Sequence, residues 1–370
     1  NQTNKLLRND GGGVFVDATS GPLGDAGLGA GVDWGDYDND GDLDLYLANW
    51  GTSNKLFRND GGGTFADATT GPLGDTGQSR GVAWGDYDND GDLDLYLTNW
   101  GTANKLFRNE GGGTFVDAMS GPSGDTGAGT GVAWGDYDND GDLDLYVACY
   151  GQANRLFRND QSTGNHWLHV DLAGISSNRC GIGARVRVVA GGSSQIREIS
   201  GGSGDMSQNS LVAEFGLGSA TTVDTFEVKW PNGMTEVITG DGETPAATSI
   251  AVDRMIIILE GWGIVTGIDP ETGPVFPKRY ALYQNVPNPF NPTTVIRYDV
   301  AADGSFVTLL VYDVGGRLVR TLVNRRETAG HKMIAWDAKN DHGRRVATGI
   351  YFYQLKAKGF SETRKMLLLK

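Results

Sequence analysis

The sequence predicts an all-β chain of propeller-type four-stranded blades followed by two β-sandwich-like domains. Three observations carry this reading. Gly accounts for 57 of 370 residues beside only 11 Pro and a normal 39% hydrophobic share. That composition suits short strands and tight turns rather than disorder. A 50-residue pattern recurs over the first 160 residues, and a period of that size marks blades or solenoid units. Finally, apolar residues alternate singly along the chain, and no convincing amphipathic helix interrupts them.

The repeat sets out its own strands. Gly81–Tyr87 opens the unit, and an Asp-rich loop follows. In Leu93–Asn99, three Leu alternate with Asp94, Tyr96 and Thr98, the mark of a half-buried strand. Asn104–Asn109 forms the third strand, and a turn through Gly111, Gly112 and Gly113 leads to a fourth at Thr114–Ala118. The array begins at Asn4–Ala18 with the last two strands of a unit and ends at Asp160 after a third strand. Propellers usually need about 4–8 blades, so this array is expected not to close. Three explanations stand open: missing upstream blades, completion by neighbouring copies, or capping by the following domain. The chain starts at Asn1 without Met or a signal peptide, which reads as a processed or truncated product.

Charge locates the chemistry. The chain holds 46 acidic and 31 basic residues, net −15. Three copies of DYDNDGDLD hold fifteen of those acids, and the remaining 31 balance the bases. The excess is therefore concentrated, which points to cation sites rather than a generally acidic surface. The candidate ligands are Asp36, Asp38, Asp40, Asp42 and Asp44, then Asp86, Asp88, Asp90, Asp92 and Asp94, then Asp136, Asp138, Asp140, Asp142 and Asp144. Carboxylates at positions 1, 3, 5 and 9 converge if the backbone curls, and Gly at position 6 permits the turn. Position 7 would offer its backbone carbonyl. Six to eight oxygen ligands suit Ca²⁺ better than Mg²⁺, giving three Ca²⁺ per chain. An EF-hand is excluded, because position 12 is Leu47, Leu97 or Val147 instead of Glu and a strand follows.

DYDNDGDLDLYLANWG together with NKLFRNDGGGTF resembles the FG-GAP or VCBS repeats of integrin-α-like propellers. The resemblance covers residues 1–160 and implies structural, non-catalytic calcium in a hairpin loop. SNRCGIGARVRV, SGGSGDMSQNS, FGLG and VKWPNG, within residues 165–260, resemble the ASPIC/UnbV domain, which implies little function. Residues 261–280 read as a linker. YQNVPNPFNPTTVIRYDV, VYDVGGRLVRTL and the terminal KMLLLK, within residues 281–370, resemble the Ig-like C-terminal sorting domain of type IX secretion substrates, similar to the FlgD Ig-like domain. That resemblance implies export from a Gram-negative-type bacterium to its outer surface or beyond.

Cys149 stands where Asn49 and Asn99 stand in the other repeats, and Cys180 stands where the ASPIC/UnbV pattern leads one to expect an acid. Both departures, in an exported protein, lead us to expect a Cys149–Cys180 disulfide. His166 and His169 read as ordinary strand residues on opposite faces. Trp34, Trp84 and Trp134 read as inter-blade packing. Trp50, Trp100 and Tyr150 sit at strand ends, where ligand contact is more plausible. Arg8, Arg58, Arg108 and Arg158 read as repeat-internal partners for carboxylates or carbonyls. Ser203 lies among glycines, but Asp205 breaks a G-x-S-x-G elbow. The chain is accordingly expected to be no enzyme, but a calcium-loaded surface structural protein, able to form homo-oligomers or filaments. The alternative is an adhesin binding a surface glycan or protein. Neither nucleic acid nor a membrane span is expected.

Overall fold

A computed structural model describes residues 3–120, 124, 126–238, 250–261, 263, 264, 277, 279–285, 287–301 and 305–369. Most of the 261–280 linker lies outside them. The chain divides into two compact units, Asn1–Thr266 and Gly267–Lys370.

The repeats supply β1 (Leu7–Asn9), β2 (Phe15–Asp17), β3 (Gly29–Gly35), β4 (Asp44–Asn49), β5 (Lys55–Asn59), β6 (Phe65–Asp67), β7 (Ser79–Gly85), β8 (Asp94–Asn99), β9 (Lys105–Asn109), β10 (Phe115–Asp117), β11 (Gly129–Gly135), β12 (Asp144–Cys149) and β13 (Arg155–Phe157). Strands β3–β6 and β7–β10 form two complete antiparallel four-stranded blades, each in sequential order. On one side stands the two-stranded β1–β2, and on the other the three-stranded β11–β13. The innermost strands β3, β7 and β11 pack side by side.

The blades meet through aromatic residues. Trp84 stacks on Tyr37 and lies edge-on to Tyr46 of the preceding blade. Trp134 repeats this with Tyr87 and Tyr96. Burial of such large apolar area dominates the packing of adjacent blades. The equivalent Trp34 is 42% exposed, against 5% for Trp84 and Trp134. At the other end Tyr146 is 45% exposed, whereas Tyr46 and Tyr96 are fully buried.

The rest of the first unit is β14 (His166–Ala173), β15 (Arg185–Ala190), β16 (Ser193–Glu198), β17 (Ala213–Gly218), β18 (Thr222–Lys229), β19 (Thr235–Ile238), β20 (Ile250–Ala251), β21 (Arg254–Leu259) and β22 (Gly263–Ile264). One sheet runs β17-β14-β21-β22, the other β16-β15-β18-β19 with β20 beside β18. Alternating apolar residues of both sheets, including Leu168, Val186, Phe215, Phe226 and Ile258, form one core. This sandwich lies against the inner blade strands. Gly204 N donates to Val32 O at 2.8 Å, and Ser210 N donates to Trp134 O at 3.1 Å.

The second unit holds β23 (Ala281–Leu282), β24 (Thr294–Val300), β25 (Ser305–Asp313), β26 (Leu318–Glu327), β27 (Gly330–Trp336), β28 (Gly349–Ala357) and β29 (Phe360–Leu368). Its sheets, β23-β24-β27 and β26-β25-β28-β29, enclose a core that includes Tyr298, Val307, Leu309, Trp336 and Tyr353.

The expected disulfide is corrected: the structure does not join Cys149, which is half-buried, to Cys180, which is exposed. Cys149 is fixed at the end of β12, where it packs against the last blade cluster. Cys180 is held in a separate turn, closed by bonds from Gly174 N to Arg179 O and from Gly181 N to Asn178 O. Each position belongs to its own local frame.

Candidate metal centre

Each Asp loop closes the hairpin between the first two strands of a blade. Position 9 is already paired in the sheet, because Asp44, Asp94 and Asp144 face Gly35, Gly85 and Gly135 across the ladder. The intervening residues must curl back within eight positions. Asn39, Asn89 and Asn139 adopt φ of 59°, 58° and 61°, and Gly41, Gly91 and Gly141 adopt 94°, 103° and 96°. These left-handed positions are those that Asn and Gly tolerate best.

The curl is held by its own carboxylates. Asp36 accepts from Asp40 N at 3.0 Å and Gly41 N at 3.1 Å. Asp86 and Asp136 make the same pair of bonds. Asp44 accepts from Tyr37 N at 3.2 Å and Asn59 N at 2.7 Å, and Asp94 and Asp144 repeat this.

Carboxylate oxygens of Asp36, Asp38 and Asp40 lie within 4.8 Å of one another, as do those of Asp86, Asp88 and Asp90. In the third loop the gathered group is Asp136, Asp138 and Asp144. The position-7 side chains do not join these groups. Asp92 accepts from Asn39 Nδ2 at 2.8 Å, and Asp142 from Asn89 Nδ2 at 3.0 Å. Their carboxylates are therefore engaged between loops, which leaves position 7 its backbone carbonyl. The bridging Asn was not singled out from the sequence, although its invariance at position 4 of all three loops was the available signal.

The donor set fits a hard cation. Every gathered atom is a carboxylate oxygen, and Asp38 Oδ1 and Asp88 Oδ1 are buried without a hydrogen-bond partner. An orphaned buried acceptor is costly unless a cation satisfies it. Burial, with repulsion from neighbouring carboxylates, raises Asp36 to about 6 and Asp88 to about 6. Burial lifts Asp44 to about 7, while its bonds from Asn59 and Tyr37 oppose the rise. Asp86 rises furthest of the position-1 residues, to about 8; burial dominates, and the Arg197 guanidinium opposes it. Asp94 is raised well above the usual range by burial and by Asp86 and Asp88. A divalent ion would reverse these shifts by favouring the ionised carboxylates.

Other singled-out residues have local partners. Arg8, Arg58 and Arg158 pair with Asp10, Asp60 and Asp160, and Arg108 pairs with Glu110. His166 pairs with Asp253 at 2.7 Å. His169 places Nδ1 3.5 Å from Asp136, and burial lowers it to about 4, so it is neutral at pH 7. Trp50, Trp100 and Tyr150 form a ladder with centroid spacings of 6.2 and 5.3 Å. Arg80 lies over both Trp rings and pairs with Asp205.

Residues 1–47, 36–97 and 88–147 match the FG-GAP-like repeat, residues 174–260 match ASPIC and UnbV, and residues 290–360 match the FlgD Ig-like domain. No curated protein matches the chain. Among solved structures, dimeric latent PorU from Porphyromonas gingivalis is similar over 96% of this chain at 13% identity and a TM-score of 0.22. This chain spans only 35% of that one. A putative carbohydrate binding protein from Bacteroides uniformis is similar over 55% of this chain and 98% of its own, at 9% identity and a TM-score of 0.17. A tetra-tandem repeat from the extending region of a large adhesion protein covers 93% of this chain and 92% of its own, at 13% identity and a TM-score of 0.17. Likenesses of this strength carry no argument. No helix is long and apolar enough to cross a membrane among the described residues. The repeats fit a β-repeat protein of the extracellular kind, and the chain carries FG-GAP-like repeats, an ASPIC and UnbV segment and a FlgD Ig-like domain.

Proposed function

We propose that the chain is a calcium-stabilised, non-enzymatic structural protein of a bacterial surface, and that it assembles with copies of itself. The gathered carboxylates and the orphaned Asp38 and Asp88 oxygens support the calcium part. Asp36, Asp38, Asp40 and Asp44 would hold the first ion with the Asp42 carbonyl, and the other loops would follow suit. The ion supplies charge neutralisation and cross-linking within the loop. Sorting by a type IX route, as the C-terminal resemblance implies, belongs to the same reading.

One observation carries the assembly part. Trp34 with Val32 at one end, and Tyr137, Tyr146 and Leu156 at the other, are exposed members of a contact that is otherwise buried twice within the chain. A second copy would seat its Trp34 face on this Tyr146 face. Such a contact is head-to-tail and propagates. The test is light scattering with size exclusion in calcium. Wild type should form oligomers, Trp34→Ala and Tyr146→Ser should each be monomeric, and a mixture of the two variants should give dimers. Wild type that stays monomeric at high concentration contradicts assembly.

The Trp50–Trp100–Tyr150 ladder favours a second reading, an adhesin that stacks a sugar on this strip. Binding on a glycan array that Trp100→Ala abolishes would support it, and no binding to any glycan would count against it.

A further inference from the structure

The FGLG segment at Phe215–Gly218 supplies neither a metal ligand nor part of the exposed end faces. In the structure it lies on the second Asp loop. Gly216 N donates to Asp86 Oδ2 at 3.1 Å, and Gly218 N donates to Asn89 O at 2.9 Å. A Cβ at Gly216 would stand 2.1 Å from Asp86 Oδ2 and 2.5 Å from the Asn89 backbone. Only glycine permits this approach, and the φ there is not one that strains other residues. The sandwich therefore needs Gly216 for the contact with the loop, not for its own backbone.

Further groups converge on the same loop. Gln195 Nε2 fixes Gly216 by donating to its carbonyl at 2.7 Å. Asn165 Nδ2 donates to Asp88 O at 2.9 Å. Arg197 anchors to Glu214 O at 3.1 Å, stacks on Phe215, and brings a positive charge towards Asp86 and Asp36. Loop 1 receives no such hydrogen bonds from the sandwich among the described residues. Loop 3 meets it differently, through the Trp167 ring against Gly141 and through His169 beside Asp136.

We infer that the Gly216–Gly218 segment is a positioning element for the second cation site, which makes that site a clasp between the repeats and the sandwich. The N–H of Gly216 holds one oxygen of Asp86 in place, and the N–H of Gly218 fixes the left-handed Asn89 peptide on which the curl depends. Groups outside the ligand set that orient a ligand typically change metal affinity about 10- to 100-fold when removed. Reciprocally, cation binding at this loop stiffens β17. The inference rests on the calcium reading.

The test uses the full chain, stripped with chelator and titrated with Ca²⁺ by calorimetry, with hydrogen exchange read at residues 213–218. Wild type should bind three ions, and exchange at 213–218 should slow when they bind. Gly216→Ala should weaken one site of three by about 10-fold or more and leave exchange at 213–218 fast in calcium. Asn165→Ala removes a side chain outside the strands and so does not endanger folding; it should weaken the same site by a smaller factor. Wild type that binds three ions with unchanged exchange at 213–218 overturns the clasp alone. So does unaltered binding in both variants. Wild type that binds no calcium overturns the metal reading on which the clasp stands.

Discussion

The second and third Asp loops have the same nine residues and different surroundings. Loop 2 is flanked on both sides: Asn39 reaches it from loop 1, and its own Asn89 reaches loop 3. The sandwich roofs it through Gly216 and Gly218. Loop 3 has a neighbouring loop on one side only, and although Trp167 and His169 of the sandwich reach it, its Asp138, Asn139 and Tyr137 are exposed. Asp86 and Asp94 of loop 2 are raised strongly, whereas Asp136 and Asp144 of loop 3 are raised less, although Asp144 is itself buried. The nine residues thus determine how the loop curls, and its place in the array determines how dry it is. Electrostatic interactions strengthen as water is excluded, so one motif should give sites of unequal strength.

Removing metal breaks this comparison most completely. Each site contributes about 2.7 kcal/mol when calcium is a hundredfold above Kd. Chelator should sharply lower the melting transition of the Asn1–Thr266 unit and leave that of Gly267–Lys370 unchanged, as scanning calorimetry would record. Equal shifts of both transitions would be evidence against metal confined to the repeats.

Next come the tryptophans. Trp84→Ala empties a buried inter-blade contact and should cost about 3–5 kcal/mol. Trp34→Ala, at a half-exposed position, should cost less than half of that. Urea denaturation of the two variants measures the difference, and equal losses would mean that position in the array is irrelevant.

A pH series sharpens the electrostatic side. The raised carboxylates bind protons in the metal-free folded state that the unfolded chain has already released. Their stabilising contribution is present below the ordinary Asp range near 4. It is lost as pH rises through about 6 for Asp36 and Asp88 and about 8 for Asp86. Metal-free protein should therefore lose stability between roughly pH 4 and 8, and calcium should remove most of that slope. A melting temperature independent of pH in chelator would contradict the burial of these groups.

The smallest expected effect separates two asparagines of equal backbone geometry. Asn39→Ala removes bonds to Gly91 and Asp92 of the next loop, whereas Asn139 has no following loop to reach. Asn39→Ala should cost about 1 kcal/mol more than Asn139→Ala, measurable by denaturant melts of both.

The local architecture was legible because it is periodic. Leu93, Leu95 and Leu97 alternate with polar residues, and β8 lies there; the Gly at position 6 announced a turn, and the loop makes one. What was not legible depends on elements distant in sequence. The Asn39–Asp92 bond appears only once adjacent blades are side by side. Gly216 reads as one glycine among 57 until Asp86 is found against it. His169 was placed on a strand, but nothing local said that this face meets loop 3. Trp34 was grouped with Trp84 and Trp134 because their repeats agree, and its exposure follows from what stands beside it. The expected disulfide failed for the same reason, since the spacing of Cys149 and Cys180 said nothing about the frames that hold them.

Elemental analysis of the full chain, purified without chelator and dialysed against metal-free buffer, tests the central claim most directly. Three calcium ions per chain, or a smaller number retained first at loop 2 and abolished there by Asp86→Asn, is the predicted result. Protein that contains no calcium and takes up none on titration would contradict it.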